Sequence, residues 1–412
     1  MRVLFVHRNF PAQFGQIAGR LAARPGWSVA FLNERTQGEV AGVKVVKYEP
    51  RGGATEHTHA FARTFENGVA HAEGVYRALA AHPEIRPDLI VGHSGFGSTA
   101  LLPELTSAPV VNYFEYWYLT HGSDVDFRPD FRVGEDALLR ARMRNAMILL
   151  DLHTCAAGYS PTSFQRGLFP AEYAPKLETI HDGIDTEFWS RRTPARSAPG
   201  ARVPRRVGGI DVPDGVRIVT YVARGFESIR GFDVFMQVAK RICDARRDVV
   251  VAVVGEDRVC YGGDEEFTGG VTFKDWVLSR DAYDLERIRF LGRIPPEELA
   301  RLLAISDLHV YLTVPFVLSW SMLDAMSSSC VVLASDTPPV REFVEDGKNG
   351  LVCDFFDADR VAARALEVLA DPSAFRPLGD AARRTIEERA SLDVCLPRLT
   401  ALFERVAGAA HA

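Results

Sequence analysis

The chain has 412 residues, 47% of them hydrophobic and 25% charged, with a formal net charge of −6. That length exceeds what one hydrophobic core organises, so two domains of roughly 200 residues each are expected. The acidic balance excludes a general nucleic-acid binder, which needs a basic surface against phosphates.

Cys155, Cys243, Cys260, Cys330, Cys353 and Cys395 are scattered with no CxxC pair. They read as small core residues of a reducing cytoplasm, not as disulfides or zinc ligands. The opening MRVLFVHRNF is interrupted by His7 and Arg8, so it is not a signal core. No stretch approaches the ~20 apolar residues that cross a bilayer. A cytoplasmic protein is expected, with peripheral contact to the inner membrane face as an added expectation.

In chain order, residues 3–7 are expected as a buried strand. Residues 11–24 then show helical spacing through Phe14, Ile17, Leu21 and Ala22. Strands follow at 28–32 and 43–48, a long helix at 60–81, a strand at 88–92, a short helix at 98–105 and a strand at 110–114. A second long helix at 135–155 and a strand at 177–180 close the first half. Strands alternating with helices mean parallel pairing in a doubly wound sheet.

Residues 191–215 carry Pro, Gly and six arginines between Arg191 and Arg206 without periodicity. They read as a flexible linker, with contact to anionic lipid as the alternative. The alternation then restarts, with strands at 218–222, 249–254, 288–291, 309–312, 331–334 and 351–353. Residues 257–285 are less regular and read as an insertion, and a helical region runs from 374 to the end. The expected architecture is α/β, with two Rossmann-like doubly wound domains facing across a cleft. Residues 1–190 form the first and 191–215 the linker. Residues 216–392 form the second, and a C-terminal helix at 393–412 packs back on the first.

Four stretches point toward nucleotide-sugar chemistry at strand ends. Arg224 and Arg230, in YVARGFESIRGFD beside the flexible Gly225 and Gly231, suit a diphosphate whose charge grows on departure. Leu318, Ser319 and Trp320 open a helix whose free amides favour an anion. Asp324, one and a half turns in, suits ribose hydroxyls. The corner from Asp336 to Glu342 has prolines at a helix start and would shape a sugar pocket. The loop with Asn9, Phe10, Gln13, Phe14 and Gly15 lacks GxGxxG, which argues against a dehydrogenase and for contact with acceptor or phosphate. His93 ends a strand and is an acceptor-site candidate.

These residues resemble the second domain of retaining glycosyltransferases of family 4, which have the GT-B fold. LDAMSSS places Asp324 where the family has the second Glu of its Glu–seven residues–Glu motif, and Phe316 falls where it has the first. TPPVREFVEDGKNGLV and IHDGID resemble further family segments. FLGRIPPEEL falls where the nucleobase is held, bringing in Arg293; Gly255, after the strand at 249–254, joins the donor set. The strand VVNYFEY has Glu115 where many members have a His beside the reacting sugar, with His121 as the weaker candidate.

The resemblance implies transfer of a sugar, a hexose by expectation, from a nucleotide-diphosphate sugar with retention of configuration. Arg224, Arg230 and Glu115 would be the catalytic residues. The acceptor would be a glycan, lipid or small molecule. No cofactor and no metal are expected. Asp124 and Asp126 in a loop, and His57 with His59, give weak metal patterns. A non-hydrolysing nucleotide-sugar epimerase and a non-catalytic relative remain the alternatives, the latter because Phe316 cannot accept a hydrogen bond.

Overall fold

The computed structural model describes residues 1–97, 99–190, 206–207, 209–213 and 215–409. The chain divides into two compact units. Unit 1 comprises Met1–Val125, Gly134–Asp182 and the chain from Cys395 onward; unit 2 comprises Asp126–Val133 and Gly183–Val394.

Unit 1 is built on seven strands: β1 (Arg2–Val6), β2 (Ser28–Asn33), β3 (Val43–Lys47), β4 (Leu89–His93), β5 (Val110–Tyr113), β6 (Ala157–Ser160) and β7 (Leu177–Thr179). All pair in parallel in the order β3-β2-β1-β4-β5-β6-β7. Helices α1 (Gly15–Ala22), α2 (Arg63–Ala80) and α3 (Glu135–Thr154) are its crossovers. Parallel strands covered on both faces read as continuous apolar runs, and Val3 to Val6 are buried without alternation.

Unit 2 repeats the plan with six parallel strands: β8 (Arg217–Gly225), β9 (Val249–Glu256), β10 (Ile288–Gly292), β11 (Leu308–Tyr311), β12 (Val332–Ser335) and β13 (Leu351–Cys353). Their order is β10-β9-β8-β11-β12-β13. Helices α4 (Phe232–Ala245), α5 (Pro296–Ile305), α6 (Trp320–Ser327), α7 (Ala358–Ala370) and α8 (Pro372–Arg389) cover it. In each sheet the strand order reverses once, between β1 and β4 and between β8 and β11. Open α/β sheets bind ligands at that reversal, off the carboxyl ends. The doubly wound architecture of both halves is as expected.

Local departures have identifiable causes. The helix expected at 98–105 is one 3-10 turn, Leu102–Glu104, with a proline in its first turn; Ser98 lies outside the described residues. The linker expectation for 191–205 also falls outside them. Arg206–Val207 and Ile210–Asp211, read as structureless, pair as a short antiparallel ladder. The helical C-terminal region is broken at Ala390, and the last piece, α9 (Leu392–Ala409), buries Leu399, Leu402 and Phe403 in the core with Phe5 and Phe14. None of the six cysteines is in a disulfide; five are buried and Cys260 is partly so.

Candidate functional site

The reversal between β8 and β11 collects the strongest candidates. Arg224 is exposed near the end of β8, and its guanidinium carbon lies 6.0 Å from the centre of the Tyr261 ring. Arg230 is buried and lies 5.6 Å from that same ring and 5.6 Å from Phe316. One aromatic ring is therefore shared by both cations, an attraction that strengthens out of water.

Arg230 is locked in place. Its Nη1 donates to the Tyr311 hydroxyl (3.1 Å) and Thr313 Oγ1 (2.8 Å), and its Nη2 to the Val317 carbonyl (3.0 Å). The Tyr311 hydroxyl also accepts the Ser319 N–H at 2.9 Å, tying the 315–319 loop to β11. The Ser319 amide is thus engaged within the protein, a correction to the expectation of free amides there. Ser319 Oγ caps α6 by accepting from the Ser321 N–H, and Ser321 Oγ donates to the Val222 carbonyl at 3.1 Å. That bond sets the start of α6 against β8, two residues before Arg224. Leu318 is buried in the core, so only its main chain can face a ligand, whereas Trp320 is exposed.

Asp324 lies on the buried side of α6, 7% exposed, and burial holds its carboxyl well above the usual carboxylate range. No described residue hydrogen-bonds that carboxyl. A buried polar group without a partner calls for an explanation.

The glycines flanking the arginines supply room, not flexibility. A Cβ on Gly225 would lie 2.3 Å from the Arg258 carbonyl oxygen, and one on Gly231 (φ +59°) would lie 2.8 Å from Leu312 Cβ. Gly255 likewise brings β9 against the Ala223 carbonyl, where a Cβ would stand 2.4 Å away. Arg293 is exposed just past β10. At the 336–342 corner, Arg341 pairs with Asp336 and holds its carboxyl below the usual range.

Sequence reasoning missed Glu227, between the two arginines and fully buried. Its carboxylate accepts the backbone N–H groups of Cys260, Tyr261 (2.9 Å) and Gly262 (2.9 Å). It thereby pins the loop that presents Tyr261. An acid inside an otherwise cationic turn was the available signal.

Unit 1 gathers a second set at the ends of β1, β4 and β5. His93 is fully buried, its Nε2 3.4 Å from Gln13 Nε2 and 3.9 Å from Glu115 Oε2. Burial, with His7 beside it, drives His93 well below the usual imidazole range, and His7 itself falls to about 4. Both rings are neutral at pH 7. The Asn9 N–H donates to His7 Nδ1 at 2.9 Å. Phe10 and Phe14, expected to contact acceptor or phosphate, are core residues instead, and Gly15 is buried beside Pro11. Apolar side chains at helical spacing were anchoring the loop. Asp124 accepts from the Tyr116 hydroxyl at 2.8 Å. His57, His59 and His121 are exposed.

Two tandem Rossmann-type parallel sheets are the architecture of the GT-B class. Residues 25–189 match the glycosyl transferase family 4 group, and residues 209–387 match glycosyl transferases group 1. The chain belongs to the family-4-like group of GT-B glycosyltransferases.

It is similar to sucrose-phosphate synthase from Thermosynechococcus elongatus, with 16% identity, a TM-score of 0.69 and coverage of 99% of both chains. It is also similar to Anabaena HepE in complex with UDP-glucose, with 13% identity, a TM-score of 0.67 and coverage of 98% and 100%. Those likenesses concern the fold. Among curated proteins, spore coat protein SA of Bacillus subtilis (strain 168) is 22% identical over 56% of this chain and 59% of its own length. The N-acetyl-alpha-D-glucosaminyl L-malate synthase of Bacillus anthracis is 29% identical over 27% of this chain and 29% of its own. The chain thus spans about three-fifths or less of the length of these curated relatives.

Proposed function

We propose that this protein transfers a hexose from a nucleotide-diphosphate sugar to a glycan, lipid or small-molecule acceptor, with retention of anomeric configuration. The observation that carries the reading is the convergence of Arg224 and Arg230 on one Tyr261 ring where the unit 2 strand order reverses. Preorganised cations at that point stabilise the charge that develops on a departing diphosphate. The UDP-glucose named with the Anabaena structure supports a nucleotide-sugar donor.

The buried, unpartnered carboxyl of Asp324 supports the same reading, because ribose hydroxyls would give it the partners it lacks. Glu115, with His93 and Gln13 behind it, is assigned to the acceptor side; a neutral His93 can accept or donate without carrying charge. The positive charge comes from guanidinium groups, so no divalent ion is required, and EDTA leaves the rate unchanged. Among the described residues no helix is long and apolar enough to cross a membrane. Peripheral membrane contact and a cytoplasmic location stay part of the proposal.

The test is a thermal-shift screen of UDP, GDP, ADP and dTDP. A diphosphate at 100 times its Kd stabilises the native state by about 2.7 kcal/mol, which moves Tm by several degrees. Four unshifted curves would refute the donor assignment. NMR of the product then reads the anomeric configuration, and a new sugar nucleotide formed without acceptor would point to epimerisation.

A further inference from the structure

Outside the site described above, the most developed constellation is the strap Asp126–Val133. It lies in sequence between β5 and α3, yet belongs to unit 2. Phe127 stacks on Phe356 at 5.2 Å and meets Phe355 edge-on at 5.5 Å. Phe131 meets Phe267, Phe273 and Trp276 at 5.4 to 5.9 Å. Between these two aromatic anchors Arg128 is buried, its guanidinium 4.5 Å from the Phe131 ring and 5.2 Å from Phe355.

The polar end of Arg128 is bidentate. Nη1 and Nη2 donate to the two carboxylate oxygens of Asp233, at 2.8 and 2.7 Å, in the first turn of α4. Nη1 also donates to the Ser228 carbonyl at 2.8 Å. Ser228 stands between Arg224 and Arg230, two residues before the latter. Its N–H and hydroxyl both donate to Asp264, at 2.7 and 2.5 Å. Every polar group of Ser228 is therefore held, the carbonyl by a residue 100 positions upstream.

We infer that Arg128 is a positioning residue for the diphosphate site: it fixes the Arg224–Arg230 turn through the Ser228 carbonyl and Asp233. The inference rests on the proposed donor site. Charge-assisted, two-pronged bonds specify geometry as well as energy, and a lysine cannot reproduce the fork. Small misplacement of positioned groups weakens catalysis out of proportion to the displacement. Removing Arg128 alone strands the Asp233 carboxylate and the Ser228 carbonyl, so Arg128→Ala can fail to fold. The double replacement Arg128→Met with Asp233→Leu removes both charges together, so no buried carboxylate is left unpaired and only the Ser228 carbonyl loses its donor.

The experiment measures calorimetric affinity for UDP, GDP, ADP and dTDP, and for the matching nucleosides, in wild type, Arg128→Lys and the double variant. Expected for the preferred diphosphate is a loss of about 10- to 100-fold in the double variant and a smaller loss in Arg128→Lys. Nucleoside affinity stays within about twofold, because only phosphate contacts depend on the turn. A purely structural role would weaken nucleoside and diphosphate alike, and that result overturns the inference. Unchanged diphosphate affinity in the double variant overturns it too, while leaving the donor site standing. A wild type that binds none of the four diphosphates sinks the donor site and this inference together.

Discussion

Replacing Arg224 with alanine lowers kcat/KM for sugar transfer by about 10²- to 10³-fold, the usual effect of deleting one preorganised charge donor at a reacting centre. Arg224 is exposed and lies against Tyr261, so the fold does not depend on it. Tm should therefore move by no more than about a degree, as for surface substitutions generally. That separation makes Arg224 the cleaner probe of the two arginines. Arg230 holds Tyr311, Thr313 and Val317 together, and its loss would mix folding with chemistry. Steady-state kinetics beside a melting curve checks the expectation. Turnover unchanged in Arg224→Ala would remove the diphosphate role from this turn.

The second large effect concerns stability. Asp151, on α3, is fully buried; Ser94 Oγ donates to its Oδ2 at 2.7 Å, and its Oδ1 has no partner. Burial raises its carboxyl from the ordinary 3.8 to about 7. The folded state thus holds a proton that the open chain releases at lower pH. Stability from this group is complete below 3.8 and is lost as pH rises through about 7. At pH 8 the folded protein carries a buried carboxylate that water would solvate. Asp151→Asn keeps the shape and the bond from Ser94 without that charge. It stabilises unit 1 by up to about 4 kcal/mol at pH 8, a gain that shrinks by about 2 kcal/mol at pH 5.5. Denaturant melts at the two pH values measure the difference. A gain independent of pH would mean that Asp151 does not titrate in this range.

The fold was largely legible because its signals are periodic. Runs such as VVVAVV and RVLFV can only be strands buried on both sides, and the helices between them repeat at helical spacing. The candidate site could be picked out in the sequence where chemistry is unusual for its position: two arginines at a strand end, and an acid on an apolar helix. Where it was not, the same residue types serve two purposes. Phe10 and Phe14 sit in a loop at a strand end, yet anchor that loop in the core. The Ser319 amide heads a helix, yet is engaged by Tyr311, which a single sequence does not place beside it. Glu227 escaped notice because its partners are backbone amides of a loop more than 30 positions away, so its position in a cationic turn was the one sign it offered; Asp264 accepts from the Ser228 N–H and hydroxyl, and a lone serine gives no hint of that pairing. The strap at 126–133 was hidden for a different reason. Its aromatic residues find partners more than 100 positions away, and sequence separation carries no hint of that pairing.

Crystallising the protein with whichever nucleoside diphosphate raises its Tm tests the central claim most directly. The diphosphate oxygens are expected within hydrogen-bonding distance of the Arg224 and Arg230 side chains, and the ribose hydroxyls against the carboxyl of Asp324. A nucleotide bound elsewhere, with Asp324 still lacking a partner, would contradict that claim.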